Sequence, residues 1–269
     1  MVYRLCFFLG YYLKGEIMIK LRRAHKWFGM TGSIVLLNLL LTVAVGAEPN
    51  AQNLLEKVDK HRLGWDSVEV DVSITTTTSW GKKTVKRYLV RVTGKERSLV
   101  KFLNPEDRGQ YLLMRNEGMW MYFPNTRRAI RITPLQRLTG NTSNGDIANL
   151  PFSGNYTPQL LGSENVDGVA TWVLELKAFS RAATYPTIKI WVRQDNHTPY
   201  RAEYYLASGK LMKNVDYVAY EERQGYLVLK TMQFRVPHKP NEVSEMQFTR
   251  VEPKHFPAYW FQKNYLPRL

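Results

Sequence analysis

Four of the five histidines, those beyond residue 47, are the first residues to test for chemistry: His61, His197, His238 and His255. An imidazole works as a metal ligand or general base only with a partner beside it. These four are scattered, with no i, i+4 pair and no spacing that gathers a metal. Each reads as a surface or turn residue. Glu106 and Asp107 are adjacent carboxylates, but they fall within Asn104-Pro105-Glu106-Asp107-Arg108-Gly109, a turn rather than an acid/base pair. There is no Gly-x-Ser-x-Gly elbow and no phosphate-cradling glycine loop. The single cysteine is Cys6, near the N-terminus. The sequence therefore points to no catalytic residue, no metal and no cofactor. The function it suggests is physical: the covering of apolar surface.

The elements that would do this are mainly strands. Pro49–Arg62 carries Leu54, Leu55 and Val58, with Leu63 following, at near-helical spacing; it reads as one short amphipathic helix stopped at Gly64. Val68, Val70, Val72 and Ile74 then alternate with polar residues, and after a Trp80-Gly81 turn Tyr88, Val90 and Val92 do the same. The pattern repeats through Trp172-Val-Leu-Glu-Leu176, Ile188–Val192, Tyr200–Leu206, Leu211–Tyr220, Tyr226–Val236 and Val243–Val251. About eleven strands are expected. Long antiparallel strands in succession curl, because their accumulated twist does not lie flat. The strand pattern breaks only between Thr133 and Leu161, where Pro, Gly and Asn punctuate short apolar pieces at Ile147, Leu150 and Phe152. A connection that long inside a domain is uncommon and suggests a lid holding one or two short helices, the alternative being a mobile surface loop.

Residues 1–47 read as a targeting segment. Lys20, Arg22, Arg23 and Lys26 are followed by an apolar run from Ile34 to Val45 and then Val45-Gly46-Ala47, a small-residue cleavage pattern. Cleavage after Ala47 is expected, leaving one domain, 48–269, in the periplasm; Met18 is the more natural start, so residues 1–17 read as a start-site extension. A retained membrane anchor is the alternative. The whole chain has net charge +15; residues 1–47 hold six Lys/Arg and one Glu, which leaves +10 beyond them. In that compartment a basic protein suits anionic membrane surfaces better than nucleic acid. Arg87, Arg91, Arg127, Arg131, Lys177, Lys189 and Arg193 share the polar parity of their strands. They would meet anionic headgroups or an acidic donor protein, or simply be solvated.

The most apolar stretch is Gly109–Ile132, three short strands around turns at Asn116-Glu117-Gly118 and Pro124-Asn125-Thr126, with Gly118 expected to supply a positive φ. Its middle strand, Met119-Trp-Met-Tyr-Phe123, is apolar at every position, so both of its faces must be covered or line a cavity. Together with Arg127-Arg-Ala-Ile-Arg-Ile132, Leu160-Leu-Gly-Ser-Glu-Asn-Val-Asp-Gly168, Trp172–Leu176, Lys189-Ile-Trp-Val192 and Gly209-Lys-Leu-Met-Lys213, this stretch resembles the LolA-like outer-membrane lipoprotein-sorting family. The ordered likeness covers nearly all of 48–269. Two departures stand out: Asn144-Gly-Asp-Ile-Ala-Asn-Leu150 keeps only Asp146 of the acids usual in that segment, and Gly225-Tyr-Leu-Val-Leu229 replaces a Pro-containing motif.

The resemblance implies a mainly β (α+β) fold: a single unclosed antiparallel half-barrel, with helices plugging its mouth over an apolar cavity for acyl chains. The residues expected to face that cavity are Val70, Val72, Tyr88 and Val90; Leu112, Met114, Trp120 and Tyr122; Ile130 and Ile132; and Trp172, Leu174 and Ile190. Ile147, Leu150 and Phe152 belong to the lid. Some of these would pack simply as core. Trp120 and Tyr122 are assigned to the concave face, which leaves Met119, Met121 and Phe123 convex beneath Phe256–Tyr265. Nothing in that strand is polar enough to fix the parity, and the reverse stays open. The implied function is a monomeric, non-enzymatic carrier of lipid or lipid-modified protein, working between an inner-membrane lipid exporter and an outer-membrane acceptor. The alternative is a sensor of envelope lipid or lipoprotein stress, since the fold also resembles a domain of periplasmic stress regulators.

Overall fold

The computed structural model describes residues 48–148 and 150–269. The targeting segment expected over residues 1–47, with Cys6, lies outside them. The chain enters through α1 (Ala51–Leu63), whose ends follow from local chemistry. The Asn50 side chain accepts from the Asn53 amide at 3.0 Å, and Gly64, at φ +79°, closes the helix with its N–H on the Lys60 carbonyl. Leu54, Leu55, Val58 and Leu63 are buried.

Six strands follow: β1 (Ser67–Thr77), β2 (Lys83–Thr93), β3 (Arg97–Phe102), β4 (Tyr111–Arg115), β5 (Gly118–Phe123) and β6 (Arg128–Ile132). A crossing segment holds β7 (Arg137–Thr139), β8 (Thr142–Ser143), α2 (Asn144–Ala148) and a 3-10 turn at Phe152–Gly154. Seven more strands complete the sheet: β9 (Tyr156–Val166), β10 (Val169–Ala178), β11 (Thr187–Arg193), β12 (Pro199–Tyr205), β13 (Leu211–Arg223), β14 (Tyr226–Arg235) and β15 (Val243–Pro253). Two 3-10 turns, Ala258–Phe261 and Lys263–Arg268, end the chain.

Thirteen strands form one antiparallel sheet in the order β6-β5-β4-β3-β2-β1-β15-β14-β13-β12-β11-β10-β9, and β7–β8 is a separate hairpin. This exceeds the eleven expected, and β9 begins at Tyr156, several residues before the point where alternation resumes in the sequence. Two meanders are joined where β1 pairs with β15. The free edges are therefore β6 and β9, and the chain between them has to cross from one edge to the other. That topology explains why 133–155 spans the open side. Register shifts at Asp71/Val72, Val173/Leu174, Trp191/Val192 and Tyr204/Tyr205 bend the strands, as β-bulges do.

The sheet carries an apolar core on each face. The larger lies on the concave side, beneath α1 and the crossing segment; the smaller joins Leu99, Tyr111, Leu113 and Tyr122 to Phe261 and Leu266 of the C-terminal turns. The turn before β5 differs from expectation. Asn116 takes the left-handed conformation at φ +49°, whereas Gly118 does not. Gly118 serves space instead: a Cβ there would lie 2.0 Å from the Trp120 ring.

Candidate functional site

Eight of the thirteen residues assigned to the cavity, Val70, Val72, Tyr88, Val90, Leu112, Met114, Leu174 and Ile190, are buried together in the concave core. Trp172 and Ile132 pack against it, half-buried. From the crossing segment, Ile147 and Phe152 are buried in the same core and Leu150 packs on it. Two assignments change face. Trp120 and Tyr122 lie on the convex face, because Trp120 pairs with Leu113 and Tyr122 with Tyr111. Met119 and Met121, opposite Met114 and Leu112, face the concave side in their place. Ile130, opposite Met121, keeps the concave parity, but on the edge strand β6 it is 51% exposed rather than covered.

The physical reason for the reversed parity is the cover each face receives. The C-terminal turns bring aromatic rings and cations to the convex side: Arg91 lies 4.8 Å from the Trp260 ring and Lys263 5.0 Å from the Trp120 ring. An indole accommodates such a cation on its π face, and a methionine cannot. Met119 and Met121 instead fill irregular space beneath the crossing segment, as flexible thioethers do.

The concave interior is filled rather than hollow. A cavity of about 40 Å³ remains, bordered by Met114, Phe152, Tyr185 and Met232, room for about one water. Beside it a groove of about 510 Å³ opens over Tyr88, Phe102, Met121, Phe123, Ile132 and Leu138, and its lining is completed by the polar side chains of Lys86, Asp107, Gln110, Gln136, Arg137 and Asn144. That volume falls in the range of small-molecule sites. α2 stands between the two: Asn144 borders the groove, and Gly145 and Asp146 border the interior cavity.

Buried charges hold the crossing segment down at both ends. The Lys213 ammonium, on β13, lies 2.8 Å from Asp146 Oδ2, and both side chains are almost wholly buried. Its other bonds go to the Asn141 carbonyl at 2.9 Å and Ser143 Oγ at 3.1 Å. Asp146 also accepts from the Tyr185 hydroxyl at 2.9 Å and the Ser143 amide at 2.7 Å. At the far end Asp59 of α1 accepts from the Phe152 and Ser153 amides at 2.7 and 2.8 Å, and from Arg62 at 3.1 Å. Arg62 donates to the Leu150 carbonyl and lies over the Phe152 ring at 3.8 Å. Four of these groups, Asp59, Arg62, Tyr185 and Lys213, were not singled out as site residues from the sequence. The signal was a charge in an apolar place: Lys213 shares parity with Val215 and Tyr217, and Asp59 lies one turn past Leu55 on the buried helix face.

The polar cluster is flanked by tyrosines. Burial pushes the phenols of Tyr185 and Tyr204 well above the ordinary tyrosine value, and the Asp146 carboxylate beside Tyr185 adds to its shift. Burial also raises Tyr88, Tyr156, Tyr217 and Tyr220. A raised folded pKa gives stability that is fully present below the unfolded value, about 10, and lost as pH rises toward the folded one. These six phenols should therefore ionise only above the ordinary tyrosine value of about 10, and their tyrosinate absorbance should develop together with loss of near-UV circular dichroism. A single smooth titration of all tyrosines, with the fold intact, would refute this.

The residues first considered for chemistry are dispersed. Glu106 and Asp107 both bind Lys86, at 2.8 and 2.6 Å. His61 meets the Leu227 carbonyl, and His197 lies in a turn at φ +61°. Among the described residues, no three His, Cys, Asp or Glu side chains come together as a metal site would need. Of the seven cations expected on strand faces, Arg91, Lys177, Lys189 and Arg193 are paired with Glu69, Glu175, Glu164 and Asp195, and Arg127 lies instead in the turn before β6, at φ +51°.

A family model described as that of an uncharacterized protein matches residues 94–268. No curated protein matches the chain. Among solved structures, a LolA superfamily protein from Nitrosomonas europaea is 36% identical; the match covers 81% of this chain and 100% of that one, with a TM-score of 0.76. A DUF1329 family protein from Desulfovibrio piger is 22% identical over 80% of this chain and 97% of its own, at TM-score 0.67. A domain assigned as an outer membrane lipoprotein-sorting protein from Vibrio parahaemolyticus is 16% identical over 81% and 98%, at TM-score 0.68. These last two share the fold.

Proposed function

The chain belongs to the LolA superfamily, and from that premise we propose that it is a carrier of lipid, or of the acyl chains of a lipid-modified protein. In this reading it works in the periplasm and delivers its cargo toward the outer membrane. The observation that supports the reading is a groove of about 510 Å³, with Tyr88, Phe102, Met121, Phe123, Ile132 and Leu138 on its apolar side, lying against a crossing segment that is latched by polar groups.

The resting interior is too small for an acyl chain, so loading requires 133–155 to lift. α2 is the partition, and its movement joins groove and interior into one concave trough. Tyr88, Leu112, Met114 and Ile132 would then form its wall, with Ile147 and Phe152 covering the cargo. A buried CH₂ contributes about 0.8 kcal/mol, so a chain of about 16 carbons gains roughly 10 kcal/mol on leaving water. That gain is set against the opening of the latch, which is how one protein holds a chain firmly and still releases it. A polar latch suits the role: a buried ion pair adds little net stability compared with apolar packing, while its directional bonds fix the closed arrangement.

Delipidated protein should take up a fluorescent fatty acid, and Met121→Glu, at the groove floor, should weaken uptake at least about tenfold, equivalent to about 1.4 kcal/mol. Absence of uptake by the unsubstituted protein, from solution or from liposomes, would count decisively against the reading.

A further inference from the structure

The least expected side chain on the surface is Trp80. It is 93% exposed at the tip of the β1–β2 hairpin, although indole is among the side chains that gain most from leaving water. The tip is built rather than frayed: the Gly81 amide donates to the Thr78 carbonyl at 2.9 Å and the Thr78 amide to the Lys82 carbonyl at 3.0 Å. Two further apolar residues are exposed at this end of the sheet. Val85 on β2 is 44% exposed, and Leu103, just past β3, is 45% exposed with its amide on the Arg87 carbonyl at 3.0 Å.

Lys82, Lys83 and Arg87 are exposed beside them, and no carboxylate among the described residues pairs with any of the three. The contrast with Lys86 is informative: it lies in the same stretch and is held by Glu106 and Asp107. An aromatic tip with unpaired cations around it has the composition of a membrane-interface anchor. Indole settles at the headgroup level and lysines meet anionic phosphates.

We propose that the β1–β2 hairpin is the point at which this protein touches an anionic phospholipid bilayer, with Trp80 entering the interface and Lys82, Lys83 and Arg87 on the headgroups. This rests on the carrier reading for its purpose. Lys86 and Tyr88, next along β2, line the groove, so docking at the tip brings the groove mouth to the bilayer surface, where an acyl chain can pass without crossing water.

The test is cosedimentation with vesicles of phosphatidylethanolamine and phosphatidylglycerol, against phosphatidylcholine vesicles, run beside fatty-acid uptake in solution. Each variant is compared with protein carrying the same N-terminus. Trp80→Ser should lower binding to anionic vesicles at least tenfold. Lys82→Gln with Lys83→Gln should lower it by about fivefold for each lysine. Binding should also fall as salt screens the headgroups. All these residues are exposed, so the melting temperature and the fatty-acid uptake in solution should not change. Variants that bind anionic vesicles as well as the unsubstituted protein would overturn the proposal, as would equal binding to neutral vesicles. A Trp80-dependent dimer without vesicle binding would overturn it in favour of a second copy of the chain. Loss of fatty-acid uptake with tip-dependent vesicle binding intact would refute the carrier reading and leave the membrane contact standing.

Discussion

Replacing Lys213 with methionine should lower the unfolding free energy by about 3–5 kcal/mol, the usual cost of leaving a buried charge without its partner. The stranded group is Asp146. It keeps the Tyr185 hydroxyl and the Ser143 amide but loses its ion pair with the Lys213 ammonium. Ser143 Oγ and the Asn141 carbonyl lose a donor at the same time. Urea unfolding monitored by tryptophan fluorescence measures the change. The discriminating variant is the double substitution, Lys213→Met with Asp146→Leu, which removes both charges. It should recover most of the loss, because apolar residues of similar volume replace a buried ion pair at little cost. The double variant should also separate stability from gating, since its closed state no longer depends on directional bonds. Equal destabilisation by the single and double substitutions would mean that the ion pair is not the source of the effect.

Gly145→Val should prise α2 from its seat. A Cβ at Gly145 would stand 1.8 Å from Thr184 Oγ1 and 2.8 Å from Thr184 Cβ and Cγ2, and no backbone atom is among these nearest neighbours. Such overpacking costs about 1–3 kcal/mol, and the backbone most readily displaced is α2, a helix of five residues. The expected result is a several-fold rise in binding of an environment-sensitive apolar dye, with faster exchange of bound fatty acid. Thr184→Gly in the same chain removes all three clashing atoms and should restore closed behaviour. If the double variant exchanges cargo as fast as Gly145→Val, the Thr184 contact is not what seats α2.

Much of the scaffold was legible because its code is local. The alternation of Val68, Val70, Val72 and Ile74 requires a strand with one buried face, and β1 shows that pattern of burial. The punctuated stretch after Thr133 lacks any sustained period, and it forms short pieces that cross the sheet rather than extend it. The site was only partly legible. Buried concave residues such as Tyr88 and Ile190 could be named from parity, because their strands carry polar residues such as Arg87, Arg91 and Lys189 on the other face. In β5 no polar residue marks a face, and Trp120 and Tyr122 were assigned to the wrong side of the sheet.

The sequence by itself determined the periods and the breaks, since each is a property of neighbouring residues. Tertiary structure decided everything that depends on what arrives from far along the chain. The C-terminal rings around Phe261 chose the convex face for Trp120 and left the concave one to Met119 and Met121. β1 met β15 and joined two meanders into one sheet. Lys213 found Asp146, 67 residues away, and turned a lone lysine on an apolar parity into a latch. A strand encodes that it has two faces. Which face is covered, and by what, is fixed only when the distant segments pack.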